Sequence, residues 1–576
     1  MPAPVLRRAH PALRAPFNIW DLAAFALIMG VLIAVTHGAH DTFAPLKSLT
    51  AHPISLDPRR LPEYALRTSL RMVAGMVASL VFTFGYAALA AKSRHAEMVL
   101  IPLLDILQSV PVLAFLSITL VWLMALAPGS VLGAEFASIF TVFTAQAWNM
   151  TFSFYQSLKT VPRDLDEAAR AFGLTPWQKF WRLEAPYGAP ALIWNMMMSM
   201  AGGWFFVTAS EAFTVGATNV NLPGVGAYIA ATNDKQDYGA IGWAILTMAI
   251  TILIFDQLLF RPLVAWAEKF HIELTASSDP PRSWVLDLIR RTRLMARVGR
   301  PIGGALRALD SLRIDERLPR APELKGNAQR TFDVVWVALV LVLVVFAAQQ
   351  IFTFVSRELS WADLWHAVEL GFLTLIRVIV LIALASLVWT PIGVLIGMRP
   401  KIAERVQPIA QFLAAFPVNL LYGVVVAGIL FGHLSPNIFL SPLMILGTQW
   451  YILFNVIAGA SAYPTDLKQA ADSFGVKGWQ WWRTVMGPGI LPYFVTGALT
   501  ASGGAWNASI VSEVVSWGHT HLRAAGLGAY IADASNAGDM PRVILGVAVM
   551  SMFVVALNRT VWRPLYALAE RKYRFD

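Results

Sequence analysis

The sequence predicts an all-α integral membrane protein, with about twelve transmembrane helices in two parallel-repeat domains of about six helices each. Composition is the first observation that predicts this class. Of the 576 residues, 57% are hydrophobic and 14% are charged, whereas a typical soluble domain is roughly 25% charged. A soluble fold of this size could not bury so much apolar surface, so lipid is the expected solvent for most of the chain.

Apolar stretches of about the length that crosses a bilayer are the second observation. Their approximate bounds are 19–37, 66–91, 99–126, 134–157, 188–215, 240–266, 331–355, 366–397, 405–431, 438–461, 490–516 and 541–565. The first is too long for a signal-peptide core and no small-residue cleavage site follows it, so we expect a retained helix. The distribution of Lys and Arg among the loops favours a cytoplasmic N-terminus and C-terminus, with the basic loop 38–65 as the exception.

An internal repeat is the third observation. At a shift of 302 residues, the stretch 224–237 matches 526–539, and at a shift of 306 Arg71 matches Arg377. Two halves with six spans each have the same orientation, which makes the repeat parallel. We therefore expect a first domain over 1–266, a cytoplasmic linker over 267–330 and a second domain over 331–576. Within the linker, 283–299 fits an amphipathic helix on the anionic leaflet and a solvated tether equally well.

A charged, helix-breaking segment interrupts the apolar pattern once in each half, at 161–186 and 463–488. In the first copy, acidic residues suit the start of a short helix, Gly173 ends it, and Thr175 and Pro176 begin a second helix that stops before Pro186. Such a helix–turn–helix with aromatic side chains is either a docking surface or a connector that packs on its own helices.

At this point the residues resemble the ABC importer permeases. That family carries Glu-Ala-Ala, a Gly four residues later, and then an apolar residue three positions before a Pro. The matching residues are Glu167, Ala168, Ala169, Gly173, Leu183 and Pro186 in the first copy, and Ala470, Ala471, Gly475, Val485 and Pro488 in the second. The stretches 69–94 and 102–115 resemble the nitrate/sulfonate/taurine branch. The resemblance covers nearly the whole chain except 267–330 and implies two fused permease domains of the type I importer fold, in a bacterial inner membrane.

The resemblance also implies what binds the two segments. Each would be a coupling helix that enters a groove of a homodimeric ABC ATPase. The residues expected to couple are Glu167, Ala168, Ala169, Gly173, Pro186, Gln469, Ala470, Ala471, Gly475 and Pro488. Gln469 stands where the family has Glu, which predicts unequal coupling on the two sides.

The energy source is expected to lie outside this chain. The sequence has no Gly-Lys dipeptide, so it has no G-x-x-x-x-G-K-[ST] phosphate loop. ATP and Mg²⁺ would be bound by the partner ATPase, this chain would bind no cofactor and catalyse no reaction, and an extracytoplasmic solute-binding protein would deliver the solute. Because the basic residues lie in short loops and form no tract, we expect no nucleic-acid partner.

Polar residues inside the spans are candidates for the translocation pathway. Arg71 and Arg377 could face each other and hold an oxyanion, or snorkel or make a fixed interhelical bond. Glu211 and Glu513 could cap a gate or pair with those arginines. The remaining candidates are Asp105, Gln108, Gln411, Trp204 and Trp506, of which the tryptophans fit gate residues or plain packing.

The sequence thus predicts a permease for a small anion, such as nitrate, a sulfonate or taurine, that works by alternating access and is driven by a separate ATPase. An internally duplicated carrier driven by an ion gradient is the alternative. Two coupling-type segments, and the lack of an acidic proton-relay chain in the spans, argue against that alternative. His519 and His521 could touch a metal, but a polar loop is the simpler interpretation and no metal site is expected.

Overall fold

The computed structural model describes residues 53–215, 218–270, 283–292, 327–461, 463 and 465–573, with isolated positions elsewhere. Most of the predicted first span at 19–37 and most of the predicted linker at 267–330 therefore lie outside the described residues. The backbone divides into two compact units. They are Met1–His37, Val161–Pro190 and Ile254–Arg320 in the smaller unit, and Gly38–Thr160, Ala191–Leu253 and Ala321–Asp576 in the larger one.

The first half of the chain contains these helices and strands in order. They are α1 Leu61–Lys92, α2 Arg94–Ser109, α3 Val112–Leu126, α4 Val131–Lys159, α5 Arg163–Ala171, α6 Pro176–Lys179, α7 Ala185–Glu211, β1 Ala212–Val215, β2 Thr218–Asn221, α8 Val225–Lys235, α9 Tyr238–Phe255, α10 Arg261–Ala267 and α11 Trp284–Arg291. Two π-helical turns, Phe180–Glu184 and Asp256–Phe260, join α6 to α7 and α9 to α10 without a break.

The second half repeats most of this order, but it has three short helices where the first half has α4. Its elements are α12 Asn327–Ser356, α13 Trp361–Gly397, α14 Pro400–Ala414, α15 Tyr422–Phe431, α16 Pro436–Phe439, α17 Pro442–Leu446, α18 Gln449–Ser461, α19 Thr465–Ser473, α20 Gly478–Trp481, α21 Gly487–Ser512, β3 Val514–Trp517, β4 Thr520–Arg523, α22 Leu527–Ala537, α23 Met540–Leu557 and α24 Arg563–Tyr573. The π-helical turns Trp482–Met486 and Asn558–Trp562 lie at the places that match those of the first half.

Among the described residues, seven helices are long and apolar enough to cross a bilayer, or up to nine if each of two bent helix pairs is one span. The all-α two-domain membrane fold is therefore confirmed, and the count of twelve stays a prediction. The third and ninth predicted spans are not continuous: Pro111 separates α2 from α3, and a 77° bend at Pro417 separates α14 from α15. Pro lacks the N–H that continues a helix, and it disfavours helical backbone in the residue before it.

The prediction that the fifth and eleventh spans run to 215 and 516 was wrong. Helix α7 ends at Glu211 and α21 ends at Ser512, directly before Glu513, and a two-stranded antiparallel hairpin follows each of them. Residues such as Val, Thr, Phe and Trp fit a strand as well as an apolar helix end. Apolar character alone could therefore not mark this boundary.

One helix crossing without room for a side chain occurs at matching positions in both halves. A Cβ on Gly226 of α8 would overlap the carbonyl oxygen of Thr208 on α7, and a Cβ on Gly528 of α22 would overlap the backbone of Ser509 on α21. Because backbone atoms cannot rotate away as side chains do, these glycines fix how closely the short helix lies on the long one.

We expect Gly226→Ala and Gly528→Ala each to lower the stability of the protein by about 1–3 kcal/mol, as overpacking in a filled core does. Gly242→Ala is the control, since no atom lies within 4 Å of the added Cβ. Thermal unfolding in mild detergent, followed by tryptophan fluorescence, measures the difference. Equal midpoints for all three variants would show that the crossing can open at little cost.

Candidate translocation pathway and coupling surface

A buried ion cluster lies in the first half. The Arg71 side chain on α1 is 3% exposed, and its Nε and Nη2 donate to the Glu135 carboxylate on α4 at 2.6 and 2.7 Å. Its Nη1 donates to Glu211 Oε1 at 2.7 Å and to the Pro223 carbonyl at 3.0 Å. One guanidinium therefore joins three helices and the loop before α8.

The Glu211 carboxylate also binds the start of α8. Its Oε2 accepts from the backbone N–H of Gly226 at 2.6 Å, and its Oε1 accepts from the Thr68 hydroxyl at 2.6 Å. Thr68 Oγ1 in turn accepts from the N–H of Val225 at 2.9 Å. The first N–H groups of a helix carry partial positive charge and favour an anion. Here the chain supplies that anion itself.

The second half repeats the arrangement with fewer charges. Arg377 Nη1 donates to Glu513 Oε1 at 2.9 Å, and Thr374 Oγ1 donates to the same oxygen at 2.9 Å. At the start of α22, the N–H of Ala529 donates to Glu513 Oε2 at 3.0 Å, and that of Leu527 donates to Thr374 Oγ1 at 2.9 Å. In the part of the chain that the structure describes, Glu513 is the acidic side chain that binds Arg377.

These contacts give both arginines an interhelical role. Each guanidinium binds carboxylates of its own half, so the pair of facing guanidiniums that could hold an oxyanion has no support in the geometry. Glu211 and Glu513 lie at the ends of α7 and α21 and are paired with those arginines. This arrangement agrees with a structural pair and not with a free carboxylate that caps a gate. A buried pair of this kind costs desolvation, and losing one partner costs more.

The other pathway candidates are more scattered. Gln411 donates to Met197 Sδ at 3.1 Å, Gln108 is half-buried on α2, and the side chain of Asp105 lies outside the described part of the chain. Trp204 and Trp506 are 2% and 1% exposed, and Trp506 stacks on Phe553. Both tryptophans are core residues in this conformation.

A cavity of about 430 Å³ lies between the two halves, within the larger unit. Matched positions of the repeat line it in pairs. These pairs are Thr208 and Ile510, Thr214 and Ser516, Asn233 and Ser535, and Asp234 and Asn536. A cavity lined by both copies at equivalent positions lies on the axis that relates them, where a parallel repeat would place its pathway.

Hydrogen bonds near the cavity join the two halves. The N–H of Gly518 donates to the Asn233 carbonyl at 2.8 Å, and Gln236 Nε2 donates to the Trp517 carbonyl at 3.1 Å. The N–H of Val112 donates to Asn507 Oδ1 at 2.5 Å. The hairpins that the sequence did not reveal therefore form part of the contact between the halves.

The first charged segment, 161–186, is a short helix followed by a tight turn. Gly173 has φ +65°, a left-handed conformation that favours glycine, and the N–H of Leu174 donates to the Ala169 carbonyl at 3.1 Å. Thr175 and Gln178 form a capping box at the start of α6. Phe172 stands at the tip of the turn and is 82% exposed.

An ion network braces this first segment. Lys179 Nζ contacts both Asp166 and Glu184, the latter at 3.3 Å, and Arg170 contacts Asp166 at 2.6 Å. The Lys179 ammonium hydrogen-bonds Asp166 and holds the pKa of that carboxyl below its usual value. Glu167, Ala168 and Ala169 lie on the same helix, the first two exposed and the third buried.

The second segment keeps the turn and loses the bracing. Gly475 also has φ +65°, and Phe474 before it is 85% exposed. At the positions that match Asp166, Lys179 and Glu184, the chain has Lys468, Trp481 and Met486. Gly478, with φ +61°, replaces Pro176, and its helix begins without a side-chain cap. Gln469 and Ala470 are exposed, and Ala471 is buried.

The prediction that the second short helix stops before Pro186 was wrong. A π-helical turn carries the chain from α6 into α7, and its counterpart carries α20 into α21. The wider turn tolerates the missing N–H of Pro186 and of Pro488, both of which are half-buried at the start of the long helices.

Sequence reasoning missed Phe172, Phe474, Glu135 and Thr68. The two phenylalanines had a signal: each directly precedes the glycine of the repeated turn, at the same offset. Glu135 had a weaker one, as an acidic residue at the start of an apolar span. His519 is not placed near a ligand set, because the described residues contain no group of three His, Cys, Asp or Glu side chains able to hold a metal.

We expect Arg71→Met to destabilise the protein by about 3–5 kcal/mol, since it removes the counter-charge of two buried carboxylates, Glu135 and Glu211. Arg377→Met should cost less, because among the described residues only one carboxylate, Glu513, loses its counter-charge there. Arg357→Met is the control at an exposed arginine. The readouts are the recovery of monodisperse protein and its thermal midpoint. An equal effect for Arg71→Met and Arg357→Met would contradict the role of the cluster.

Comparison with known proteins gives a result for each half. The family described as "Binding-protein-dependent transport system inner membrane component" matches residues 74–261 and again residues 389–574.

The individual proteins that resemble this chain have low sequence identity to it. A nitrate import permease protein of Leptolyngbya laminosa is 26% identical over 185 residues, which are 32% of this chain and 63% of that protein. A bicarbonate transport system permease protein of Synechocystis sp. is 28% identical over 179 residues, 31% of this chain and 61% of that protein. A glycine betaine/carnitine transport permease protein of Listeria monocytogenes is 27% identical over 169 residues, which are 29% of this chain and 54% of that protein. The chain thus spans less than two thirds of the length of each of these relatives.

Proposed function

Because the chain belongs to the binding-protein-dependent transport system inner membrane components, we propose that it is the membrane subunit of an ATP-driven importer, with two permease domains on one polypeptide. The observation that carries this proposal is the repeated charged segment, with an exposed phenylalanine at the same place in both copies. The predicted domain limits of 1–266, 267–330 and 331–576 belong to the same proposal, as does the cytoplasmic position of both segments and both termini in a bacterial inner membrane.

The proposed partner below the membrane is a homodimeric ABC ATPase that binds ATP and Mg²⁺. Each segment offers a large, exposed apolar side chain on a turn held by a left-handed glycine, and such a side chain gains by entering a groove. Two segments suit two equivalent grooves. A solute-binding protein on the other side would deliver the solute, as the family description implies.

The proposed cycle opens the cavity between the halves to one side and then to the other. Among the described residues, few hydrogen bonds cross from half to half beside the cavity, and neither buried ion cluster joins the two halves, so a separation of the halves would leave both clusters intact. The chain itself would catalyse no reaction, since ATP hydrolysis would take place on the partner.

The chemical class of the solute is the most specific part of the proposal. The nitrate and bicarbonate relatives support a small anion. A relative that transports glycine betaine has a similar sequence identity to this chain. Sequence identity at this level therefore does not distinguish one substrate class from another. The pathway arginines expected for an anion are bound to carboxylates.

We expect the double variant Phe172→Ser/Phe474→Ser to lose at least tenfold of the ATPase activity that the chain supports in a purified complex. The substitution removes the apolar contact and leaves the turn intact. Phe431→Ser is the matched control, because Phe431 is 92% exposed and the proposed topology puts it on the opposite face. If the two variants supported equal activity, the segments would be connectors.

We expect Gly173→Val and Gly475→Val to impair coupling unequally. Both place a β-branched residue at a left-handed φ, which costs about 1–3 kcal/mol of local strain. The first segment is held by its ion network and cap, so the strain has to be released at the turn itself. The second segment can relax through Gly478. Co-purification with the ATPase should therefore fall more for Gly173→Val; identical losses would refute the asymmetry but not the coupling.

A further inference from the structure

We propose that the cavity between the halves takes solutes that carry a positive group or hydrogen-bond donors, such as a small neutral or zwitterionic organic molecule, and disfavours a bare inorganic oxyanion. This inference rests on the proposed function, because the cavity bears on specificity only if it belongs to the pathway. It replaces the small-anion expectation with a different class of solute.

The charge of the cavity wall favours a cation over an anion. Among the described residues that line it, Asp234 is the one acidic side chain, and no Lys, Arg or His is present. Asp234 is exposed and stands on α8, while its match in the second half is the neutral Asn536. Opposite charges attract and like charges repel at short range, so a cation next to Asp234 would be favoured and a nitrate-like anion would be disfavoured.

Two kinds of anion-binding group lie near the cavity, helix N-termini and arginines, and both already bind carboxylates of the chain itself. The N-termini of α8 and α22 reach the cavity region, and Gly226 lines the cavity. Their first N–H groups donate to Glu211, Glu513 and the threonines beside them. Arg71 and Arg377 donate to the same carboxylates. A solute anion would therefore compete with internal carboxylates that are already in place.

Neutral polar groups near the cavity include hydrogen-bond acceptors without a partner. Asn233 is 8% exposed, and its Oδ1 has no hydrogen-bond partner in the structure. Asn419 Oδ1 is also buried and has no hydrogen-bond partner in the structure. The hydroxyls beside them have used their protons: Thr208 donates to the Trp204 carbonyl at 3.0 Å and Tyr422 to the Val511 carbonyl at 2.7 Å. The two amide oxygens and these two hydroxyl oxygens therefore keep acceptor capacity, which a donor such as N–H or O–H fills.

The two walls of the cavity also differ in polarity. Asn419 and Tyr422 stand where the first half has Leu113 and Leu116, and all four line the cavity. A solute in it would meet a carboxylate on one α8-type helix, an amide on the other, and an apolar patch opposite a polar one. A molecule with a charged end and an apolar end fits this pattern better than a symmetric oxyanion does.

The chain lacks cysteine, which allows a direct test of the charge. Ala230 and Ala532 line the cavity at matched positions, one helical turn before Asp234 and Asn536. Ala230→Cys and Ala532→Cys would be made in the full chain in nanodiscs, with the exposed Ser435→Cys as reference. Each thiol would react with a trimethylammonium-ethyl and with a sulfonato-ethyl methanethiosulfonate. The measured quantity is the cation-to-anion rate ratio, divided by the ratio for a free small thiol.

The proposal expects a normalised ratio of about ten or more at Ala230→Cys, a smaller preference for the cation at Ala532→Cys, and a value near one at Ser435→Cys. Asp234→Asn should reduce the first ratio to that of Ala532→Cys. The proposal is overturned if the anionic reagent reacts as fast or faster, if Asp234→Asn changes nothing, or if neither reagent reaches Ala230→Cys while Ser435→Cys is modified. None of these outcomes depends on an ATPase, so the proposed function fails separately, in the coupled ATPase assay.

Discussion

The internal pairing of Arg71 and Arg377 with carboxylates is the interaction on which the rest of the larger unit depends. A guanidinium inside an apolar helix bundle is tolerated only when its charge and its donors are satisfied. Arg71 meets this requirement by joining α1, α4 and the end of α7, and Glu211 passes the constraint on to the first turn of α8. Because α8 is fixed there, and by the close crossing at Gly226, one wall of the cavity is fixed as well.

Duplication explains why this arrangement occurs twice, and divergence explains why the copies differ. Thr374, Arg377, Glu513 and the start of α22 repeat the contacts of the first half. The first copy holds two carboxyl groups around its arginine, and the ion network of its charged segment is replaced in the second copy by Trp481 and Met486. In its charged segment, the second half thus has two apolar side chains where the first half has Lys179 and Glu184. A single chain with two distinct copies can specialise them, whereas two identical subunits cannot.

Much of this fold could be predicted from the sequence, and the failures share a physical cause. Long apolar spans, the repeat, the glycine turn at Gly173 and the capped helix at Thr175 all depend on local pattern, which a sequence displays. The hairpins after Glu211 and Glu513, the breaks at Pro111 and Pro417, and the π-helical turns depend on which neighbours supply hydrogen bonds. The partner of Arg71 on α4, Glu135, lies 64 residues away, and no periodicity announces such a contact. The cavity was beyond sequence reasoning because its lining comes from both halves.

The continuity of the second half shows how the charged segment and the cavity can communicate. From Gly478 the chain runs through α20, a π-helical turn and α21 to Ser512 with no break in helical structure. A helix of that length spans about 50 Å and ends at Glu513, the carboxylate that binds Arg377 and the start of α22. Movement of the turn at Gly475 would therefore reach the cavity wall through a rod and not through a loop. A π-helical turn is the place where such a rod can bend at low cost, so its position directly after the charged segment sets how much of the displacement reaches the wall.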